Sequence, residues 1–109
     1  MPFDERLAKR VRGLLRGEHS FKEKKMFGGL AFMVNGHMCC GIVGEDLVVR
    51  TGVGTYHEAL SQPHARPMDF TGRPMRGFVY VGPRGYQSTS MLSSWIQGGL
   101  RFVLSLPPK

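Results

Sequence analysis

The sequence predicts an α+β protein: a helix, an antiparallel meander of hairpins, a further strand and a closing helix. Three observations carry that expectation. Asn35-Gly36 lies between two apolar runs, residues 30–34 and 37–43, and both positions of a two-residue hairpin turn need positive φ, which Asn and Gly adopt most readily. Apolar residues recur at helical spacing near both ends of the chain. Between those ends, short apolar runs alternate with Gly- and Pro-containing turns, the punctuation of strands.

Residues 4–16 read as an amphipathic helix. Phe3, Leu7, Val11, Leu14 and Leu15 form its apolar stripe, with Arg6, Lys9, Arg10, Arg12 and Arg16 on the other sides. Asp4 is the expected N-cap and Gly17 the expected stop. Residues 21–27 alternate loosely and predict the first strand, with Lys22, Lys24 and Lys25 towards water, before a bulge or tight bend at Gly28-Gly29. The Asn35-Gly36 turn pairs Val34 with His37. Alternation then places Leu30, Phe32, Val34, His37 and Cys39 on one face, and Ala31, Met33, Met38, Cys40 and Ile42 on the other. Neither face is polar, so both need a cover: helices, a second chain or a ligand.

Gly44-Glu45-Asp46 predicts another turn and Leu47-Val48-Val49-Arg50 a fourth strand. Residues 55–60 are helical in tone and stop before Pro63; residues 67–74 read as a loop with extended pieces. Phe78-Val79-Tyr80-Val81 is a strand closed by the turn Gly82-Pro83-Arg84-Gly85. Ser88, Thr89 or Ser90 caps the last helix, whose stripe is Leu92, Trp95, Ile96, Gly99, Val103 and Leu106, ending at Pro107-Pro108.

A chain of 109 residues with 41% apolar content reads as one domain over 1–109 with a core of its own. No apolar run approaches the roughly 20 residues that span a bilayer. The first residues lack the apolar stretch of a signal peptide, which predicts a cytoplasmic protein without membrane contact. The two cysteines are adjacent, a strained arrangement for a disulfide, and read as small core residues. The net charge of +7 permits attraction to nucleic acid, other polyanions or acidic partners.

Chemistry-bearing motifs are sparse. Gly52-Val53-Gly54 follows a strand and precedes a helix, but the sixth position is His57 where a dinucleotide loop needs Gly or Ala, so a turn is the reading. His37-x-Cys39 supplies only half of a structural zinc set; His57 and His64 have no spacing that completes it. Cys40 lacks an adjacent base or cation, and Glu45, Asp46 and Asp69 form no acid–base pair. The weightiest stretch is residues 66–77. There Arg66, Arg73 and Arg76 stand among prolines beside Phe70, suited to a planar bidentate contact surface; the plainer alternative is that Asp69 pairs with an arginine and the loop closes the sheet.

Lys24-Lys25-Met26-Phe27-Gly28-Gly29-Leu30-Ala31-Phe32, Asn35-Gly36-His37-Met38-Cys39-Cys40-Gly41 and the stretch from Arg66 to Gly77 together resemble the TfoX N-terminal domain family, with similarity over nearly the whole chain. The resemblance implies a two-layer fold, an antiparallel sheet against helices. It also implies kinship with bacterial TfoX/Sxy regulators of natural competence, which promote transcription of DNA-uptake genes. In those regulators a helical C-terminal domain follows, whereas this sequence ends at Lys109, which sets the expectation of a stand-alone domain. The family brings no catalytic residues to carry over.

The functional expectation is a non-enzymatic cytoplasmic regulatory module that acts through a protein partner or as a homodimer, with no cofactor, metal or catalytic residue. The binding residues it singles out are Lys24, Lys25, Arg66, Asp69, Arg73 and Arg76. One alternative is direct nucleic-acid binding through those cations and the first helix. Another is an enzyme or metal protein using His37, Cys39 and His64.

Overall fold

The computed structural model describes every residue except Met1, Pro2, Phe27, Phe70, Thr71, Arg73 and Pro74. Helix α1 (Glu5–Arg16) leads into a four-strand meander: β1 (Lys22–Met26), β2 (Gly29–Val34), β3 (His37–Val43) and β4 (Asp46–Arg50). A 3-10 turn at Val53–Thr55 and the short helix α2 (Tyr56–Leu60) follow, then β5 (Ala65–Pro67), β6 (Phe78–Val81) and helix α3 (Thr89–Leu104). The strands form one antiparallel sheet in the order β1-β2-β3-β4-β6-β5.

Local chemistry accounts for the element ends. The Asp4 carboxylate accepts from the backbone N–H of Arg6 and Leu7, and Ser88 Oγ from that of Met91, which satisfies otherwise orphaned donors at the starts of α1 and α3. Asn35 and Gly36 turn the central hairpin with φ of 54° and 84°, and Val34 pairs with His37 as the sequence predicts. Met26 pairs with Gly29, so the chain bends tightly there. The expected first strand runs to residue 27, which lies outside the described residues. The last helix ends at Leu104, capped at Ser105, before the two prolines reach it.

The side-chain alternation departs from expectation within β3. Phe32 pairs with Cys40 but Met33 with Met38, so Cys39 is an extra residue that bulges the strand. Past the bulge the faces exchange. Cys40 and Ile42 lie with Leu30 and Phe32 in the helix-side core rather than opposite them with Ala31 and Met33. That core takes Leu7, Val11 and Leu15 from α1 and Leu92, Ile96, Leu100 and Val103 from α3.

The other face is also withdrawn from water. Ala31, Met38, Val48 and Tyr80 form a second buried cluster, closed by Met68 from the segment between β5 and β6, with Met75 packed beside it. Helices cover one face, and Met68 and Met75 from the β5–β6 loop cover the other. The double apolarity therefore needs no second chain.

The turn between β6 and α3 is pinned from three directions. The Tyr86 hydroxyl donates to the Glu45 carbonyl. Arg10 donates to the Tyr86 carbonyl at 2.8 Å and stacks on its ring at 5.8 Å, and the Trp95 indole N–H donates to the Gly85 carbonyl at 3.2 Å. Burial first, and then the charges of Asp4, Glu45 and Asp46, push the Tyr86 phenol from 10.0 up to about 12. A phenol that ionises later when folded favours the folded state below pH 10.0, and that contribution disappears as pH rises towards about 12. Denaturant titrations should therefore show stability falling across that interval. Tyr86→Phe should cost about 1 kcal/mol at neutral pH through the lost hydrogen bond and flatten the alkaline decline.

Candidate functional site

The structure divides the residues that the sequence singles out. Lys24 and Lys25 lie on β1 and Arg66 on β5, the two opposite edges of the sheet. Five inter-strand spacings put those edges on the order of 24 Å apart, so they form no common surface. Arg66 is engaged locally: its guanidinium grips the Asp46 carboxylate through both nitrogens, and its Cζ lies 4.9 Å from the centroid of the Tyr80 ring. Its partner is thus Asp46 rather than Asp69, which is exposed. Arg76 is exposed in the turn before β6, and Arg73 lies outside the described residues. The role of the β5–β6 loop as sheet cover is carried by Met68 and Met75.

The lysines have a structural use as well. β1 reads Lys22-Glu23-Lys24-Lys25-Met26 with its first four residues exposed, and charge along an edge strand discourages pairing with another sheet. Glu23 accepts from Arg12 on α1 at 2.6 and 2.9 Å, and that hydrogen bond holds its carboxyl below the usual range. Exposed Arg6, Lys9 and Arg16 lie on α1; on β1, Lys25 stands opposite Leu30 on the helix side of the sheet, whereas Lys22 and Lys24 stand opposite Met33 and Ala31 on the other side.

His37, Cys39 and His64 have separate neighbours. His37 Nε2 lies 2.7 Å from the Pro107 carbonyl; a carbonyl only accepts, so that nitrogen carries the proton. With Lys109 N–H donating to Asn35 at 2.9 Å, this contact straps the end of the chain over the central hairpin. Cys39 and Cys40 are wholly buried thiols, and contact with Cys39 together with burial pushes Cys40 well above its ordinary value. His64, at φ 69°, is exposed and packs against Gly85. No cluster of three or more His, Cys, Asp or Glu able to hold a metal occurs among the described residues.

The main concavity was not singled out by sequence. A groove of about 930 Å³ runs between α3 and the α2 segment. Val49 of β4 lines it, with Thr55, Glu58 and Gln62 from the α2 segment and Ser90, Ser94, Trp95, Gly98, Arg101 and Phe102 from α3. Gly52 fixes one end, since a Cβ there would stand 2.4 Å from the Phe102 ring, and Gly85 against His64 fixes the other. The sequence signal was present: Ser90, Ser94 and Gly98 recur every fourth residue beside the apolar stripe of α3.

A profile of the TfoX N-terminal domain aligns with residues 14–103. The chain belongs to the TfoX N-terminal domain family. Among curated proteins none matches it. In this TfoX N-terminal domain, no helix among the described residues is long and apolar enough to cross a membrane.

The two adjacent glycines of α3 separate packing from groove shape. A Cβ on Gly99 would lie 2.7 Å from the Cys39 carbonyl oxygen, whereas one on Gly98 meets nothing within 4 Å. Gly98→Ala should therefore stabilise by about 0.5–1 kcal/mol through helix propensity alone. Gly99→Ala should destabilise by about 1–3 kcal/mol through overpacking. Urea unfolding of the two variants reads both signs.

Proposed function

We propose that this protein is a non-enzymatic cytoplasmic regulatory module that acts by binding a protein partner. The observation that carries the reading is the distribution of exposed apolar surface. Among the described residues the large exposed hydrophobics are Val53, Met91 and Leu104, at 64%, 40% and 45% exposure. Of these, Met91 lines the groove beside Trp95 and Phe102, while Val53 and Leu104 do not line it and only neighbour lining residues along the chain. An exposed apolar side chain at a concavity with aromatic lining is a feature of docking surfaces. The groups most able to do covalent or acid–base chemistry, Cys39, Cys40 and His37, serve the core and the C-terminal strap instead. Membership of the TfoX family supports a regulatory role. A photo-crosslinking residue at position 91, which lines the groove, should trap one dominant protein adduct in cells, and the same residue at position 24 should not. Equal trapping at both positions, or none at 91, would sink the reading.

A second reading, direct nucleic-acid binding, is favoured by exposed Arg6, Lys9 and Arg16 of α1 with Lys25 on the helix side of β1. Lys24 faces the other side of that strand, and Arg66 stands on the far edge. If it holds, duplex DNA affinity measured by anisotropy should fall with log salt at a slope of about −0.9 per phosphate contacted. Lys25→Glu should weaken it further. Failure of both duplex DNA and single-stranded RNA to bind at low salt removes this reading.

A further inference from the structure

We propose that the outward row of α1, Arg6, Lys9, Gly13 and Arg16 with Lys25 beside it, tracks the phosphodiester backbone of a nucleic acid without reading its bases. This deepens the nucleic-acid reading and rests on it.

The roll of the helix is the first argument. Leu7, Ala8, Val11 and Leu15 share the buried face of α1, and at about 3.6 residues per turn Arg6, Lys9, Gly13 and Arg16 share the face opposite. The flanks between those faces are fastened. Arg10 donates to the carbonyls of Tyr86 and Gln87 on one side, and Arg12 grips Glu23 of β1 on the other. Two arginines thus fix the helix with its third face outward, and the row keeps its own cations. Arg6, Lys9, Arg16 and Lys25 take part in no ion pair among the described residues.

Length and chemistry select the ligand. From Arg6 to Arg16 the row runs ten residue steps, about 15 Å at the helical rise. Duplex nucleic acid carries a phosphate about every 3.4 Å of axis on each strand, so a contact of that length meets several in succession. Nothing apolar interrupts the row: the large exposed hydrophobics among the described residues are Val53, Met91 and Leu104, none of them on α1. Protein interfaces draw their energy from buried aromatic and apolar anchors, which this face lacks. A polyanion needs only cations, because binding releases its counterions. α1 carries no aromatic residue on which a base could stack, so the contact stays with the backbone.

Gly13 and the nearby acids fit the same ligand. A Cβ on Gly13 would meet nothing within 4 Å, so packing does not require the glycine. Its effect is to leave the helix bare at the centre of the row, where a phosphate approaches closely. Glu23 is held by Arg12, with Arg16 acting on the same carboxylate. Glu5 acts on Arg12 from the flank and stands off the row.

Anisotropy titrations of the whole chain with a random-sequence DNA duplex, repeated across salt concentrations, test the proposal. Contacts from Arg6, Lys9, Arg16 and Lys25 predict a slope of log affinity on log salt of about −3.6, at about −0.9 per phosphate. Arg6→Gln, Lys9→Gln, Arg16→Gln and Lys25→Gln should each shallow it by about one, whereas Lys24→Gln, on the other side of β1, should not. Gly13→Lys should steepen the slope by about one. Its melting temperature should be unchanged or higher, since the added side chain meets no neighbour and lysine favours helix over glycine. A second duplex of unrelated sequence should bind equally. Shallowing by Lys24→Gln equal to that of the α1 variants would overturn the row as the site and leave nucleic-acid binding intact. Affinities that differ more than about tenfold between sequences would overturn backbone-only contact. Absence of binding at low salt would remove the site and the reading together. Binding to phosphatidylserine vesicles in preference to DNA would assign the row to a lipid surface and overturn the proposal.

Discussion

The β2–β3 hairpin is buried on both faces, so each face has to be withdrawn from water by something other than the hairpin itself. The molecule meets that constraint in two ways. On one side α1 and α3 supply continuous apolar stripes, the efficient cover for a sheet. On the other, Met68 and Met75 come from the loop between β5 and β6, and an ion pair between Arg66 and Asp46 holds the neighbouring edge. Unbranched methionine suits the second task, because it fills an irregular gap that a helix would not fit.

The same constraint explains where the polar groups go. Arg10 fastens the turn before α3, Arg12 joins α1 to β1, and Arg66 joins β5 to the start of β4. His37 holds the end of the chain across the central hairpin. Many residues that look reactive or ligand-binding in isolation are therefore fasteners. Exposed ion pairs of this kind contribute little individually. Their importance lies in fixing which segments sit together.

What remains uncommitted is instructive. The exposed cations of α1 and β1 face water, and the groove beside α3 keeps aromatic lining, small side chains and an arginine. The groove exists because α2 is only one turn and a half long and stands off from α3 instead of packing into it. Tyr56 anchors that segment to the core, so the wall is fixed even though the space beside it is open.

By itself the sequence determined much of the local geometry: the Asn35-Gly36 turn and its Val34–His37 register, the Asp4 cap, a cap for α3 among Ser88, Thr89 and Ser90, five of the six strands and the apolar stripes of α1 and α3; β5 (Ala65–Pro67) was not among the strands it predicts. Each depends on neighbours close along the chain, where φ preference, capping and periodicity act directly. The bulge at Cys39 escaped it, because an inserted residue leaves the run of apolar letters unchanged while exchanging the faces beyond it. Only the tertiary structure decided that Lys24 and Arg66 stand on opposite edges, that Arg66 holds Asp46, and that α2 and α3 frame a groove. Those facts follow from strand order and from which segments cross which face. Such choices are made by burying area between parts of the chain far apart in sequence, and no local pattern records them.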